Sequence, residues 1–234
     1  MGNSEDSTAA DPFREPFIGY LPGFLTTSEA VGTRPPDARA YEALLMQQWQ
    51  ALLDSPFSSD ERLLHSFLER HPSLLPGAHS VDGDSGHSPF PMAVISRPKL
   101  SGLSHREPDF MWIASDSACL FPILIEIETP RKKWFTGRAA EIHSDLTHAH
   151  GQLAEWQAWF DDGRNRTAFL DDYEIPSMLR DRRLAPRYVL VHGRRDDYEG
   201  SRTRRRKRAQ LARHDERLMS FDRLAPAKNS PLFS

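Results

Sequence analysis

Residues 121–128 read Phe-Pro-Ile-Leu-Ile-Glu-Ile-Glu, an almost unbroken apolar run closed by two carboxylates spaced two apart. A strand that is apolar on both faces belongs inside a sheet covered on both sides, so this segment demands helices above and below it. The rest of the chain supplies them. Asp37 can cap a helix to about Leu53, with Leu44, Leu45, Trp49, Leu52 and Leu53 on one face. Ser58, Ser59 and Asp60 are N-cap candidates for a second helix, whose stripe of Leu63, Leu64, Phe67 and Leu68 stops near His71-Pro72. Ile142, Leu146, Ala149, Leu153, Trp156 and Phe160 recur at helical spacing and predict a long helix over about 139–160. Residues 92–96 and 109–114 read as short strands, and 187–192 as another apolar strand. A Gly-, Ser- and Asp-rich loop covers 76–91. Strands grouped around a crossover helix, with helices ahead of them, imply an α/β sandwich built on a mixed sheet.

Composition narrows the function classes. A chain of 234 residues suits one main domain, and 38% hydrophobic content is enough for a core. Thirty Lys and Arg against 33 Asp and Glu leave a net charge of −3, so any nucleic-acid surface must be local. The lone cysteine, Cys119, forms no internal disulfide and suits a reducing cytoplasm. The longest apolar stretch, residues 120–125, falls far short of the roughly 20 residues a membrane helix requires. The acidic, Ser-rich start has no signal-peptide character, so a soluble cytoplasmic protein without a membrane partner is expected. Residues 1–36 mix acids, Gly, Ser and Pro without apolar period and read as an irregular arm; 37–57 form an N-terminal helix, 58–225 the main domain, and 226–234 a tail.

Chemistry enters with the acids. Asp109 follows Pro108 at the start of one strand, and Glu126 and Glu128 end the next, on one face by the strand period of two. If the strands are neighbours, three carboxylates converge, which is costly unless a cation or proton neutralises them. A hard divalent metal meets that need, because Mg²⁺ prefers oxygen ligands, can lower the pKa of a water and can shield a phosphodiester. The competing reading is that Glu126 and Glu128 cap a strand and pair with Arg131, Lys132 and Lys133.

Pro108-Asp109 followed by Glu126-Ile127-Glu128 resembles the PD-(D/E)XK nuclease pattern with its last position changed. Residues 61–75, Glu-Arg-Leu-Leu-His-Ser-Phe-Leu-Glu-Arg-His-Pro-Ser-Leu-Leu, resemble the opening helix of the Shedu-type nucleases of bacterial anti-phage defence. In the same order, Glu126-Ile-Glu-Thr-Pro130 with Trp134-Phe135-Thr136 resembles that family's core strand, and His148-Ala-His-Gly-Gln152-Leu-Ala-Glu-Trp156 its Gln-x-x-x-aromatic helix. Residues 189–195 and 219–224 resemble its last strands, so the likeness spans about 58–225. It implies a restriction-endonuclease-like α/β/α sandwich with a mixed central sheet, and DNA hydrolysis with Mg²⁺ or Mn²⁺ held by Asp109 and Glu126. The helix-one acid falls on Glu61. Helical geometry favours it over Glu69, because Glu61 borders the Leu64–Leu68 stripe while Glu69 points away, towards solvent. Gln152, one turn before Trp156 at the edge of the apolar face, is placed to reach the site. The departure is Glu128, where the pattern has a lysine that orients water and offsets transition-state charge. Glu128 could ligate metal or act as a base, with Lys132 or Lys133 supplying the cation. The alternative is a catalytically degenerate protein that keeps the fold to bind nucleic acid or assemble. Self-association and a duplex DNA substrate follow from the resemblance, with recognition coming from residues 1–57, from oligomerisation or from a partner protein.

Arg194, Arg195, Arg202, Arg204, Arg205, Arg206, Lys207 and Arg208 crowd positive charge into fifteen residues. They could clamp a phosphate backbone without sequence preference; the other reading is a solvated segment paired with Asp196, Asp197 and Glu199. Lys133 joins the nucleic-acid candidates. His143 and His150 lie seven apart, whereas zinc pairs sit at i and i+4, so a zinc site is disfavoured. His65, one turn beyond Glu61, can flank the site. Trp134, Phe135 and Trp159 read as packing residues, with base stacking open to Trp134.

Overall fold

The computed structural model describes residues 38–77, 94–102, 107–211 and 213–226. The chain divides into two compact units, Met1–Leu45 and Met46–Ser234; of the first, only 38–45, the opening of helix α1 (Ala38–Asp54), is described, and the sheet with its covering helices belongs to the second. The expected arm over 1–36, most of the loop 76–91 and the first residues of the strand expected at 92–96 lie outside the described residues.

A mixed sheet forms the centre. Its strands are β1 (Ile95–Ser96), β2 (Phe110–Ser115), β3 (Cys119–Ile127), β6 (Arg183–Leu184), β7 (Arg187–Val191) and β8 (Glu216–Met219), while β4 (Phe135–Thr136) and β5 (Glu141–Ile142) make a separate antiparallel pair. The order is β1-β2-β3-β7-β8, with β6 also beside β3. β1–β2 and β2–β3 are antiparallel; β3–β6, β3–β7 and β7–β8 are parallel. All nine residues of β3 are buried, as its two-sided apolar sequence requires. Pro122 is tolerated in this central strand because it falls in a gap: β6 pairs with Cys119 and Leu120, and β7 takes over only at Ile123.

Helices cover both faces. Met111, Ile113, Leu120 and Leu124 face a core shared with α3 (Ser144–Asp161) and α4 (Gly163–Asp172), which contribute Leu146, Leu153, Trp156, Phe160 and Phe169. On the opposite face, His65 of α2 (Glu61–Arg70) stacks on Phe110 with ring centroids 4.4 Å apart. Trp49 packs on Phe67 at 5.4 Å and on Phe221 at 6.1 Å. Elements α3, α4 and α5 (Ser177–Arg180) carry the chain from β3 to β7; α6 (Asp196–Glu199) and α7 (Arg202–Ala209) carry it from β7 to β8. The fold is therefore the expected α/β sandwich on a mixed sheet.

One boundary differs from the sequence reading, and the choice among three candidate caps is resolved. Of the three candidate caps for α2, Asp60 takes the role, its Oδ1 accepting from the N–H groups of Arg62 and Leu63 at 3.0 and 3.3 Å. The long helix begins at Ser144, not near Ala139, because Gly137 and Ala140 adopt left-handed backbone, at φ 62° and 52°, which turns residues 135–142 into a hairpin. Ile142, expected on the helix stripe, is consequently 45% exposed in β5, and His143 becomes the cap of α3. Among the described residues no helix is long and apolar enough to cross a membrane.

Candidate active site

The antiparallel β2–β3 pairing brings the predicted acids together. Phe110 lies opposite Ile125, so Asp109, one residue before β2, comes beside the end of β3, and its Oδ2 accepts from the Ile127 N–H at 2.8 Å. Glu126 shares the strand face of Leu120 and Leu124 and so points towards α3, where Gln152 hydrogen-bonds its carboxylate. Glu128 follows on the same face and is buried, its N–H continuing the ladder to Val191 O at 2.9 Å. Glu61, at the first turn of α2, closes the far side. These residues line a cavity of about 330 Å³ together with Arg62, His65, Arg97, Lys132 and His148.

The cavity carries charge it does not internally balance. Burial pushes the Asp109 carboxyl up to about 7, the Ile127 N–H opposes this, and the charges of Glu61 and Glu128 add to the rise. Glu126 is raised well above the usual carboxylate range by burial first and then by Asp109 and Glu128, with Gln152 pulling the other way. Its Oε2 is buried with no hydrogen-bond partner among the described residues. Crowded hard oxygens whose protonation is favoured by their neighbours, one of them buried and unpartnered, fit a divalent cation by donor chemistry. No three His, Cys, Asp or Glu side chains among the described residues stand in ready metal-ligand geometry. Lys132 forms a salt bridge to Glu128 and lies 3.7 Å from Glu61 Oε1, so these two acids are drawn to it. Burial lowers the Lys132 pKa, but the bond to Glu128 and the charges of Glu128 and Glu61 outweigh it and the net shift is upward, keeping the ammonium charged.

Lys132 is presented by a turn that the end of β7 holds in place. Gly193 N–H donates to Thr129 O at 3.2 Å, and His192 Nε2 meets Lys133 O at 3.1 Å. The imidazole is fully buried, which pushes its pKa down to about 4, so the ring is neutral and its Nε2 carries the proton shared with that carbonyl. Asp197 Oδ2 accepts from the N–H groups of Trp134 and Phe135 at 2.7 and 3.3 Å. Gly193 has φ 57°, and a Cβ there would stand 2.5 Å from Lys132 O, so only glycine permits this approach.

The other candidates separate by partner. Arg131 donates to Ser58 Oγ and to carbonyls of Ser55 and Pro56, and Lys133 is 3.9 Å from Asp197, so of the three cations only Lys132 answers the acids. None of the basic segment lines the carboxylate cavity. Arg194 pairs with Asp54 and Asp222, Arg204 with Asp197, and Lys207 donates to the carbonyls of Ala139 and Ala140. Arg208 stacks over Trp134 and Tyr198 and donates to Leu218 O. These four stitch the fold, whereas Arg202, Arg205 and Arg206 are exposed and Arg195 is half-buried. Trp134 is fully buried, which removes it as a base-stacking residue, and Trp159 is likewise core.

Glu69 is exposed, as expected, and also accepts from Ser96 Oγ at 2.5 Å and stands 3.4 Å from His65 Nδ1, while His65 Nε2 is 3.8 Å from Asp109 Oδ1. The helix periodicity located Glu69 off the apolar stripe correctly, but the edge strand β1 comes out to meet it. Arg62, Arg97 and His148 are the cavity residues that sequence reasoning missed; Arg62 neighbours Glu61 and His148 lies one turn before Gln152, so both could have been found on that ground, whereas Arg97 depends on the β1–β2 register.

A family model described as Shedu protein SduA, C-terminal, matches residues 58–225, the span over which the motifs run in order. No curated protein matches the chain.

Proposed function

We infer that this chain, which belongs to the Shedu SduA C-terminal family, is a metal-dependent endonuclease that hydrolyses DNA phosphodiester bonds. Membership supports a role in anti-phage defence. The single observation that carries the catalytic reading is the pairing of Asp109 and Glu126 in one cavity, both with protonation favoured by burial and crowding, where a cation would relieve the repulsion. Asp109 and Glu126 would hold Mg²⁺ or Mn²⁺, with Glu128 and Glu61 able to join by releasing Lys132. Bound there, the ion supplies Lewis acidity towards a water and shields the charge of a phosphodiester.

The protein's own groups do the rest. The Ile127 N–H fixes Asp109, and the Gln152 amide fixes Glu126, so neither carboxylate rotates freely. Glu128 takes the place of the pattern's lysine, and Lys132 restores a positive charge from four residues further on, held between Glu128 and Glu61. Its ammonium offsets charge on the phosphate during attack, and Glu128, once released from it, can accept a proton from the water. Lys133 and the exposed Arg202, Arg205 and Arg206, with Arg195, are the remaining duplex-backbone contacts of the reading. Arg194, Arg204, Lys207 and Arg208 contribute through the fold that presents them. Self-association and a partner protein for target recognition belong to the same reading, as the resemblance implies.

The test incubates the purified full chain with supercoiled plasmid and linear duplex in Mg²⁺, Mn²⁺ or EDTA beside Asp109→Ala and Glu126→Ala. Metal-dependent nicking that both variants lose is the expected result. Salt-sensitive binding with no cutting under either metal would overturn it in favour of a catalytically silent nucleic-acid-binding protein.

A further inference from the structure

Strand β1 runs antiparallel to β2 with Ser96 opposite Phe110, so the next residue, Arg97, arrives opposite Asp109, and its N–H donates to Asp109 O at 2.8 Å. Arg97 has φ 49°, a left-handed conformation unusual for a long side chain. It also precedes Pro98, whose ring pushes its predecessor towards extended backbone. Two conformational preferences are therefore overridden at one residue, and strain of this kind collects where a side chain must be aimed. Arg97 lines the carboxylate cavity, and Arg62, from the first turn of α2, lines it as well. Among the described residues neither makes an ion pair, whereas Lys132 is held by Glu128 and Glu61. The positive charge of Arg97 reaches both Asp109 and His65: it works against the burial-driven rise of the Asp109 carboxyl and adds to the burial-driven fall of the His65 imidazole.

Cations lining the cavity besides the ion at the acids favour a phosphodiester settling there. A guanidinium is suited to that role, because its planar fork donates two parallel hydrogen bonds to phosphate oxygens and never loses its charge. We propose that Arg97, with Arg62 lining the same cavity, forms a phosphate-binding subsite at its β1 edge, gripping the non-bridging oxygens of a nucleic-acid phosphodiester next to the acids. This rests on the nuclease reading and gives it a second cationic contact, independent of Lys132.

Arg97→Gly tests the subsite cleanly, since glycine accepts the left-handed backbone and removes only the side chain; Arg97→Asn, also at ease there, is the second variant. Binding of a fluorescent 20-base-pair duplex is measured by anisotropy in EDTA across a salt series, and cleavage in Mg²⁺ or Mn²⁺, with urea unfolding as the control. Both variants are expected to fold as stably as the wild type, to bind about tenfold more weakly with a log–log salt slope smaller by about one, and to cut about a hundredfold more slowly. Arg62→Ala gives a smaller loss of the same kind. Unchanged affinity and salt slope in a folded Arg97 variant overturns the subsite, as does a wild type that does not bind duplex DNA. A wild type that binds but cuts under no metal removes the nuclease reading alone, and Arg97 is then judged on binding.

Discussion

Replacing Asp109 by Asn should make the metal-free protein more stable while destroying its site. The native carboxyl titrates at about 7 against an ordinary 3.8. At 1.36 kcal/mol per pKa unit that rise corresponds to a charge penalty of about 4 kcal/mol at high pH. The side chain is 29% open to solvent, which screens part of the penalty, and the asparagine oxygen can keep the Ile127 N–H while its amide must find a new partner. A net gain of about 2 kcal/mol at pH 8 in EDTA remains, or about 4–8 °C in Tm for a chain of this size. The pH dependence fixes the cause. Because the folded-state pKa is raised, the native state keeps a proton that the unfolded state has lost between about pH 4 and pH 7, so wild-type stability falls as pH rises through that window. The advantage of Asp109→Asn should therefore be near zero at pH 4, grow across the window and level off above pH 7, read by urea unfolding at each pH. Saturating Mn²⁺ should reverse the order, since only the wild type gains binding energy. A variant less stable than wild type at pH 8 in EDTA, or a gap independent of pH, would refute the charge-crowding account.

Gly193→Ala should cost about 2–4 kcal/mol in urea unfolding, since its Cβ meets Lys132 O at 2.5 Å in a left-handed backbone; a loss under 1 kcal/mol would mean that the 129–134 turn moves freely. Asp197→Ala strands the Trp134 and Phe135 N–H groups and removes the ion pair of Arg204, and about 3 kcal/mol of destabilisation is expected, with Asp197→Asn losing less. Lys132→Met leaves Glu128 buried without its cation and should lower both stability, by about 2 kcal/mol at pH 8, and DNA cleavage, at least tenfold; full activity would show that the ammonium is a structural counter-ion only.

The acid pair was legible because strand period is rigid: once 121–128 is a strand, Glu126 and Glu128 share a face, and an antiparallel neighbour delivers Asp109. Glu61 came from the family likeness, with helical angle choosing it over Glu69. Helical periodicity put Gln152 at the edge of the long helix's apolar face and the family likeness gave it a role at the site; misplacing the helix start by five residues did not shift that register. The hairpin at 135–142 was hidden because Ala140 carries no sequence mark of a left-handed backbone. Charge counting treated residues 194–208 as one patch. Their division into anchors and exposed cations depends on what tertiary packing brings near, such as the carbonyls of Ala139, Ala140 and Leu218. Arg97 and the Ser96–Glu69–His65 contacts were out of reach for the same reason, since both require knowing that a two-residue edge strand pairs with β2.

The two walls of the cavity differ in how far along the chain their supports lie. Asp109 meets the Ile127 N–H across a hairpin turned at residues 116–118, a local contact that closes early. The turn bearing Lys132 rests on His192, Gly193 and Asp197, some sixty residues downstream, beyond three helices. As synthesis proceeds from the N-terminus, the acids can gather while their cation still has no seat. The seat of Lys132 is thus completed only after residues 192–197 have been made, so the acids and their cation are assembled in separate steps.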